Sequence, residues 1–343
     1  MNPYELISNV NIAESLTEEQ LLEIGSDAVK GYNADKQSRE KWEHKVKEYY
    51  DLALQVAKEK SFPWPKASNI KFPLISTAAM QFGARAYPTL VPANGKITQI
   101  KVFGQDPQGE KGKRAKRISA HMDYQLTVQM EDWEEDQDKL LLMLPIVGVA
   151  FKKTYYDSAK KRNKSCLVFP QNLVVNYWTK TLEDAYRVTE VLYFNRNEIK
   201  EKQLKKIYKD VDLGDPILEV DTDNEKRDFQ PSQVDGATPY KILEQHTYLD
   251  LDEDGYYEPY IITVEYHSKK VLRIVARFKE DGIETDADGQ VVSIKADNYY
   301  TKFPFIPNPD GSFYDLGFGH LLGPINESVN TIINQLVDAG TLR

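Results

Sequence analysis

An α+β fold is predicted by a change in the spacing of apolar residues along the 343-residue chain. Up to about residue 143, apolar residues recur at steps of three and four, which is the spacing of one helix face. After Pro145, segments rich in β-branched and aromatic residues alternate with turn residues, as in strands. Helices followed by a run of strands indicate a helical part and an antiparallel or mixed sheet, rather than alternating parallel units.

The N-terminal part is predicted to be helical. Thr17 and the glutamine three residues later have the spacing of a capping box, which marks a helix start. Gly25 and Gly31 predict that the stretch beyond this start is divided into two helices. A shorter helix is predicted over residues 70–87, closing at Pro88, because the residue before a proline avoids the helical region.

One long amphipathic helix is predicted over residues 114–143. Its apolar side chains recur at steps of four and three, so one face should be buried, with Trp133 in the core. The opposite face is strongly acidic. The residues of the apolar face are Ile118, Met122, Leu126, Met130 and Trp133.

A series of strands is predicted after that helix, with one further helix inserted among them. Asn195 followed by Glu198 is a second capping pattern and opens the inserted helix. Residues 210–239 are polar and acidic and predict an exposed loop, and a last helix is predicted from Pro324. The strands are expected at residues 146–156, 166–169, 173–177, 187–194, 240–249, 260–267, 271–278 and 291–295.

Composition excludes several classes of protein. The single cysteine, Cys166, leaves no intramolecular disulfide and no cysteine-based zinc site. The net charge of −9 argues against tight, sequence-specific binding of nucleic acid. It is compatible with a protein that DNA passes without binding tightly. The N-terminus has no secretory signal pattern, and no apolar run reaches the length of about 20 residues that a membrane helix needs.

No catalytic residue and no enzymatic activity is predicted. The chain contains no Gly-x-Ser-x-Gly, His-Glu-x-x-His or kinase motif. Gly104 and Gly109 have the spacing of a phosphate loop, but Glu110 stands where the loop needs a lysine, so a surface turn is predicted. An enzyme with an unfamiliar site remains an alternative hypothesis.

The sharpest local pattern is an acidic turn. Asp250, Asp252, Asp254 and Glu258 stand at positions one, three, five and nine, with glycine at six, as in the first part of a calcium loop. The twelfth position, where such loops carry a bidentate glutamate, is an isoleucine, and the flanks are predicted strands. Two interpretations follow. These carboxylates bind Ca²⁺, as in a calcium-dependent binding or adhesion module, or the segment is a solvated hairpin turn. No other cofactor is predicted.

Three segments, taken in order, resemble one protein family. The run 121–156 contains Met-Glu-Asp-Trp and Leu-Pro-Ile-Val-Gly, the acidic hairpin 250–259 is followed by strands, and the run 303–340 begins with Phe-Pro-Phe-Ile-Pro. Together they resemble the wing region, and the approach to the first stem helix, of tailed-bacteriophage portal proteins of the podovirus-like type. The resemblance covers about residues 70–343.

The resemblance implies a division of the chain into three consecutive parts. Residues 1–110 would be the N-terminal helical part of the wing, residues 111–323 the α+β wing domain, and residues 324–343 the start of the stem helix. In the family, a clip domain, a second stem helix and further C-terminal parts follow. This chain would lack them.

The resemblance also implies a structural function without catalysis. In the family, a dodecameric ring occupies one capsid vertex, and double-stranded DNA passes through its channel during packaging and ejection without sequence recognition. The implied partners are further copies of the chain, the major capsid protein, scaffold, terminase and the head-to-tail adaptor. The implied location is the portal vertex of the virion, with assembly in the host cytoplasm and no membrane involved.

Overall fold

The computed structural model describes residues 3–57, 64, 67–93, 95–157, 160–217, 237–286 and 291–341, and it has the predicted α+β fold. Within these residues the chain forms eight α-helices. They are α1 (Pro3–Ser8), α2 (Glu18–Ser38), α3 (Glu40–Ala53), α4 (Leu74–Leu90), α5 (Glu110–Tyr124), α6 (Trp133–Val147), α7 (Arg196–Leu204) and α8 (Phe318–Thr341).

The strands of the described residues form three antiparallel sheets. They are β1 (Val149–Asp157), β2 (Arg162–Val168), β3 (Leu173–Val175), β4 (Val188–Phe194), β5 (Tyr240–Leu249), β6 (Glu258–Glu265), β7 (Val271–Ala276), β8 (Ile283–Thr285), β9 (Val291–Ile294) and β10 (Tyr300–Pro304). The strand orders are β10-β1-β2 and β3-β4-β5-β6-β7, with β8 and β9 as a separate pair.

The chain divides into two compact units, each built from two separate stretches of sequence. The first unit comprises Met1–Lys41 and Pro170–Asn298, and the second comprises Trp42–Phe169 and Tyr299–Arg343. In the second unit, strand β1 pairs with β10 from the far end of the chain. Because of this long-range pairing, each unit contains two separate segments of the sequence. The portal resemblance implies instead three parts that follow one another along the chain.

The first unit is built around the five-stranded sheet, which has helices on both faces. Successive residues of a strand point to opposite faces, so Leu243 of β5 joins a core cluster with α2, and Ile242 joins another with α7. On the α2 side, Tyr32 is buried, and its ring and that of Tyr266 pack in a T-shaped arrangement with their centroids 5.7 Å apart. Burial on both faces means that most residues of the central strand β5 are buried, including polar ones such as Gln245 and His246.

Helix α2 is continuous, so the predicted division at Gly25 and Gly31 is wrong, whereas the capping box at Thr17 is confirmed. A Cβ on Gly25 would lie 2.0 Å from the carbonyl oxygen of Lys269, and one on Gly31 would lie 2.4 Å from the guanidinium of Arg187. Both glycines therefore allow neighbouring groups to approach the helix closely, and they do not end it.

The second unit combines the sheet β10-β1-β2 with helices. Phe151 of β1 stacks on Phe313 at a centroid distance of 5.9 Å, and both side chains are fully buried. Helix α6 ends at Gly148, whose φ of 102° favours glycine. A Cβ at that position would lie 2.4 Å from the carbonyl oxygen of Asp315. Glycine thus permits both the helix end and the close passage of the chain beside it.

The predicted single helix over residues 114–143 is wrong. Helices α5 and α6 are separated by a π-helical turn at Gln125–Gln129 and by Met130, whose φ of −97° and ψ of 79° are not helical. A π-helical turn adds a residue, so side chains on either side of it no longer share one face. The predicted buried face is also wrong, because Ile118 is exposed and Trp133 is only half-buried.

The predicted strands and inserted helix are present, with shifts of a few residues, and the capping box of Asn195 with Glu198 is confirmed. Helix α4 begins at Leu74 and continues through Pro88, where its end was expected. Most of the predicted loop at 210–239 lies outside the described residues.

The last helix begins earlier in the chain than predicted. Helix α8 starts at Phe318 and contains Pro324 within its length. The carbonyl oxygen of Gly317 accepts hydrogen bonds from the N–H groups of His320 and Leu321, at 3.1 and 3.2 Å. These bonds form the first helical turn before the proline, so Pro324 does not initiate the helix.

Candidate functional site

The acidic turn between β5 and β6 brings three of the four predicted carboxylates together. Oxygen atoms of Asp250, Asp252 and Asp254 lie within 4.8 Å of one another. Gly255 has a φ of 90°, and its N–H donates to Asp250 Oδ2 at 2.9 Å. The Tyr256 N–H donates to Asp254 Oδ1 at 2.7 Å. Local hydrogen bonds therefore shape this turn, and its oxygen cluster is of the kind that a hard cation prefers.

One carboxylate oxygen of this turn is buried. Asp250 Oδ1 has no hydrogen-bond partner within the described residues. A buried acceptor without a partner is unfavourable. A cation bound at the turn would supply an interaction for it.

Glu258, the fourth predicted ligand, lies apart from the cluster at the start of β6. Its side chain is buried, and the Tyr260 hydroxyl donates to Glu258 Oε2 at 3.4 Å. Burial raises the pKa of the Glu258 carboxyl above its ordinary value, and the negative charge of Asp252 raises it further. Burial, followed by the charge of Glu258, likewise raises the pKa of Tyr260. Glu258 is therefore a buried acid beside the turn.

Helix α8 holds an extended segment of the second unit through side-chain amides. Asn330 Oδ1 accepts from the Phe72 N–H at 2.7 Å, and Asn334 Oδ1 accepts from the Ile70 N–H at 2.7 Å. Asn334 Nδ2 also donates to the Ile70 carbonyl oxygen at 3.0 Å. Four helical residues advance about 6 Å and two extended residues about 6.6 Å. Amides one turn apart therefore meet alternate residues of the segment, and we call this arrangement the α8 ladder.

The α8 ladder continues at one end and stops at the other. Asp338 Oδ1 accepts from the Ser68 N–H at 2.9 Å. Asn326, one turn before Asn330, is 1% exposed, and its amide has no hydrogen-bond partner in the described part of the chain. The alternation would place its partner at Leu74, where the extended segment ends and α4 begins. Asn326 therefore stands at the ladder position that has no extended backbone opposite it.

One stripe of the exposed side of α8 is apolar, beside exposed polar residues that include Glu327, Ser328 and Gln335. The buried face carries Gly319, Gly323 and three asparagines, so the usual polarity of a surface helix is reversed. Exposed apolar side chains that recur along one helix face mark an interaction surface. The residues of this surface, which we call the α8 apolar face, are Leu321, Ile325, Ile332 and Leu336.

Sequence reasoning found the acidic turn but missed the reversed polarity of α8. The signal is present, because asparagines recur at steps of four from 326 to 334 and are followed by Asp338 at the same step. This spacing does not reveal which side of the helix is internal, because it only places small polar residues on one side and leucine and isoleucine on the other. Only the backbone partners at Ile70 and Phe72 decide this.

Comparisons with known proteins do not assign the chain to a family. No protein-family model matches the sequence, and no curated protein matches it. Among the described residues, no helix combines the length and apolarity needed to cross a membrane. Function therefore has to be argued from the sites and from the order of segments along the chain.

Proposed function

We propose that the chain is a subunit of a bacteriophage portal, a ring at one capsid vertex through which DNA is packaged and ejected. The α8 apolar face is the observation that carries this proposal. It lies on the helix that the sequence resemblance assigns to the start of the stem. In a ring, that helix would be covered by a neighbouring copy.

The α8 apolar face gives a physical reason for association. Fully burying one leucine or isoleucine side chain contributes about 1.5 to 3 kcal/mol, and Ile325, Ile332 and Leu336 are each more than half exposed. A surface that meets a different surface of the next copy produces a closed ring when the rotation between copies closes. The α8 ladder supports the same role, because it holds α8 through polar groups and leaves its apolar side for a partner.

The proposed function is that of a conduit and a platform, not of a catalyst. The net charge of −9 suits a channel that double-stranded DNA crosses without adhering, because like charges repel. Terminase would supply the work of packaging. The capsid protein, scaffold and head-to-tail adaptor would bind other surfaces of the ring, at the portal vertex of the virion.

The test is to image the protein expressed from its complete reading frame. Negative-stain microscopy combined with native mass measurement should show closed rings with a central hole, of a mass close to that of a dodecamer. A stable monomer from the complete reading frame would contradict the proposal. Image classes without a central opening would also contradict it.

A calcium-dependent binding module is a second candidate, and the cluster of Asp250, Asp252 and Asp254 favours it. If the turn binds Ca²⁺, added Ca²⁺ should raise the melting temperature and a chelator should reverse the rise, because a ligand that binds only the folded state stabilises it. The matched variant is Asp252→Asn with Asp254→Asn, which should lose the response. An identical melting temperature with and without Ca²⁺ would eliminate this candidate.

A further inference from the structure

The first unit contains a cavity of about 470 Å³, lined by the N-terminal half of α2 and by residues on both sides of the acidic turn. Tyr186, Tyr248 and Tyr257 are part of its lining, and the same three rings line a shallow apolar depression. Nothing in the portal hypothesis uses this cavity.

The three tyrosines form an aromatic cluster that reaches solvent. Tyr186 and Tyr248 stack with centroids 5.7 Å apart and planes at 28°, and Tyr186 and Tyr257 are 57% and 55% exposed. The buried guanidinium of Arg277 lies 5.4 Å from the centroid of the Tyr248 ring. The cluster therefore already holds one cation against a ring, which is the favoured arrangement of a cation and an aromatic face.

The cavity is negatively charged. Its cationic lining residue, Arg187, is neutralised by Asp35, which accepts from Arg187 Nε at 2.7 Å and from Arg187 Nη2 at 3.0 Å. A phosphate-bearing ligand would be repelled, and a cation attracted. The carboxylates of the lining are those of Glu23, Asp250 and Glu253, together with Asp27, whose Oδ1 is paired with Lys30 Nζ at 2.9 Å.

We propose that this cavity binds an organic polycation, a molecule with two or more ammonium groups on an aliphatic chain. One ammonium would lie on the exposed rings of Tyr186 and Tyr257, because Tyr248 already contacts Tyr186 and Arg277, and another would lie beside the carboxylates of Glu23 and Glu253. The aliphatic carbons would contact the apolar part of the lining, which includes Leu16 and Ile24. Each part of such a molecule has a matching surface, whereas a metal ion would leave the tyrosine rings without a contact.

This site shares Asp250 with the candidate calcium turn but is independent of ring formation. Within the described residues, Asp252 and Asp254 are not part of the cavity lining, although Asp250 is. Substitutions on the tyrosines and on Asp252 and Asp254 can therefore separate the two sites. Failure of the portal proposal would leave this inference intact, because the cavity lies wholly within the first unit.

The test is calorimetric titration of the full chain with spermidine as the probe. Replacing both Tyr186→Ala and Tyr257→Ala should weaken spermidine binding about ten-fold, since two exposed cation–aromatic contacts are lost. Both side chains are largely exposed, so the variant should fold. The matched control is Tyr193→Ala, which removes an equally exposed tyrosine of the same unit from outside the cavity lining and should leave the affinity unchanged.

A second pair of variants tests the carboxylates. Glu23→Gln with Glu253→Gln should weaken spermidine binding and reduce its dependence on salt, whereas Asp252→Asn with Asp254→Asn should change the affinity less than about two-fold. The inference is overturned if the wild-type chain does not bind spermidine. It is also overturned if the tyrosine variant binds as tightly as the wild type, or if only the Asp252 and Asp254 variant loses binding.

Discussion

Helices α2 and α8 bury opposite kinds of side chain. Helix α2 buries Leu21 and Tyr32 against the five-stranded sheet, as expected of a helix that covers a sheet. Helix α8 buries Asn330 and Asn334 and leaves Leu336 69% exposed. Helix α2 therefore buries its apolar side within one copy of the chain. Helix α8 is held in place by polar hydrogen bonds and has an apolar surface that nothing in the described residues covers.

The largest expected effect is on the apolar side of α2. Replacing Tyr32→Ala should destabilise the protein by about 3 to 5 kcal/mol, because a fully buried aromatic ring is lost from a packed core. Urea unfolding followed by circular dichroism measures this. Leu22→Ala is the control on the same helix, and it should change stability by less than about 0.5 kcal/mol because Leu22 is 66% exposed. Similar losses for the two variants would refute the description of α2 as the core helix.

An intermediate effect is expected on the polar side of α8. Asn334→Ala should destabilise the protein by about 1 to 3 kcal/mol, because it leaves the N–H and carbonyl groups of Ile70 without their partner. Asn326→Ala is the matched control, two ladder positions away. This variant should be as stable as the wild type or more stable, because the Asn326 amide has no partner among the described residues. Equal destabilisation by both substitutions, measured by urea unfolding, would contradict the α8 ladder.

The smallest expected effect concerns Glu258. It is a buried polar side chain of the first unit, as Asn330 and Asn334 are of the second. Its raised pKa means that the folded state holds the proton more tightly than the unfolded state does. This contribution to stability is present below the ordinary pKa of glutamate and is lost as the pH rises through the raised pKa. Glu258→Gln should therefore melt higher than the wild type at neutral pH and equally at about pH 4.

The melting temperatures of the Glu258 variant should be measured in the presence of a chelator, so that no cation at the acidic turn contributes to stability. The control is Glu253→Gln, an exposed acid of the same turn, whose substitution should leave the melting temperature nearly unchanged at both pH values. A Glu258→Gln variant that is less stable than the wild type at neutral pH would contradict the assignment of Glu258 as a buried acid with a raised pKa.

Much of the fold could be predicted from the sequence, because local signals determine it. The capping boxes at Thr17 and Asn195 and the strand-like segments after Pro145 correspond to elements of the structure. The division between α5 and α6 could not be predicted, because the steps of three and four between apolar residues continue in the sequence through the π-helical turn at Gln125–Gln129. Long-range pairing, such as that of β1 with β10, also has no local signal.

The candidate sites were predictable only in part. The spacing of Asp250, Asp252 and Asp254 indicated the acidic turn directly, because all three lie in one short segment. The tyrosine cavity joins residues from α2, from the segment before β4 and from the β5–β6 turn. Such a cavity depends on the packing of distant segments, so no pattern in the sequence could reveal it.

The most direct test of the central claim is the native mass of the product of the complete reading frame, compared with that of a variant on the α8 apolar face. The variant carries Ile325→Gln, Ile332→Gln and Leu336→Gln, and the control is Leu204→Gln, which changes a 75% exposed leucine of α7. We predict rings for the wild type and the control, and a folded monomer for the variant. Rings of unchanged mass from the α8 variant, or a monomeric wild type, would contradict the account.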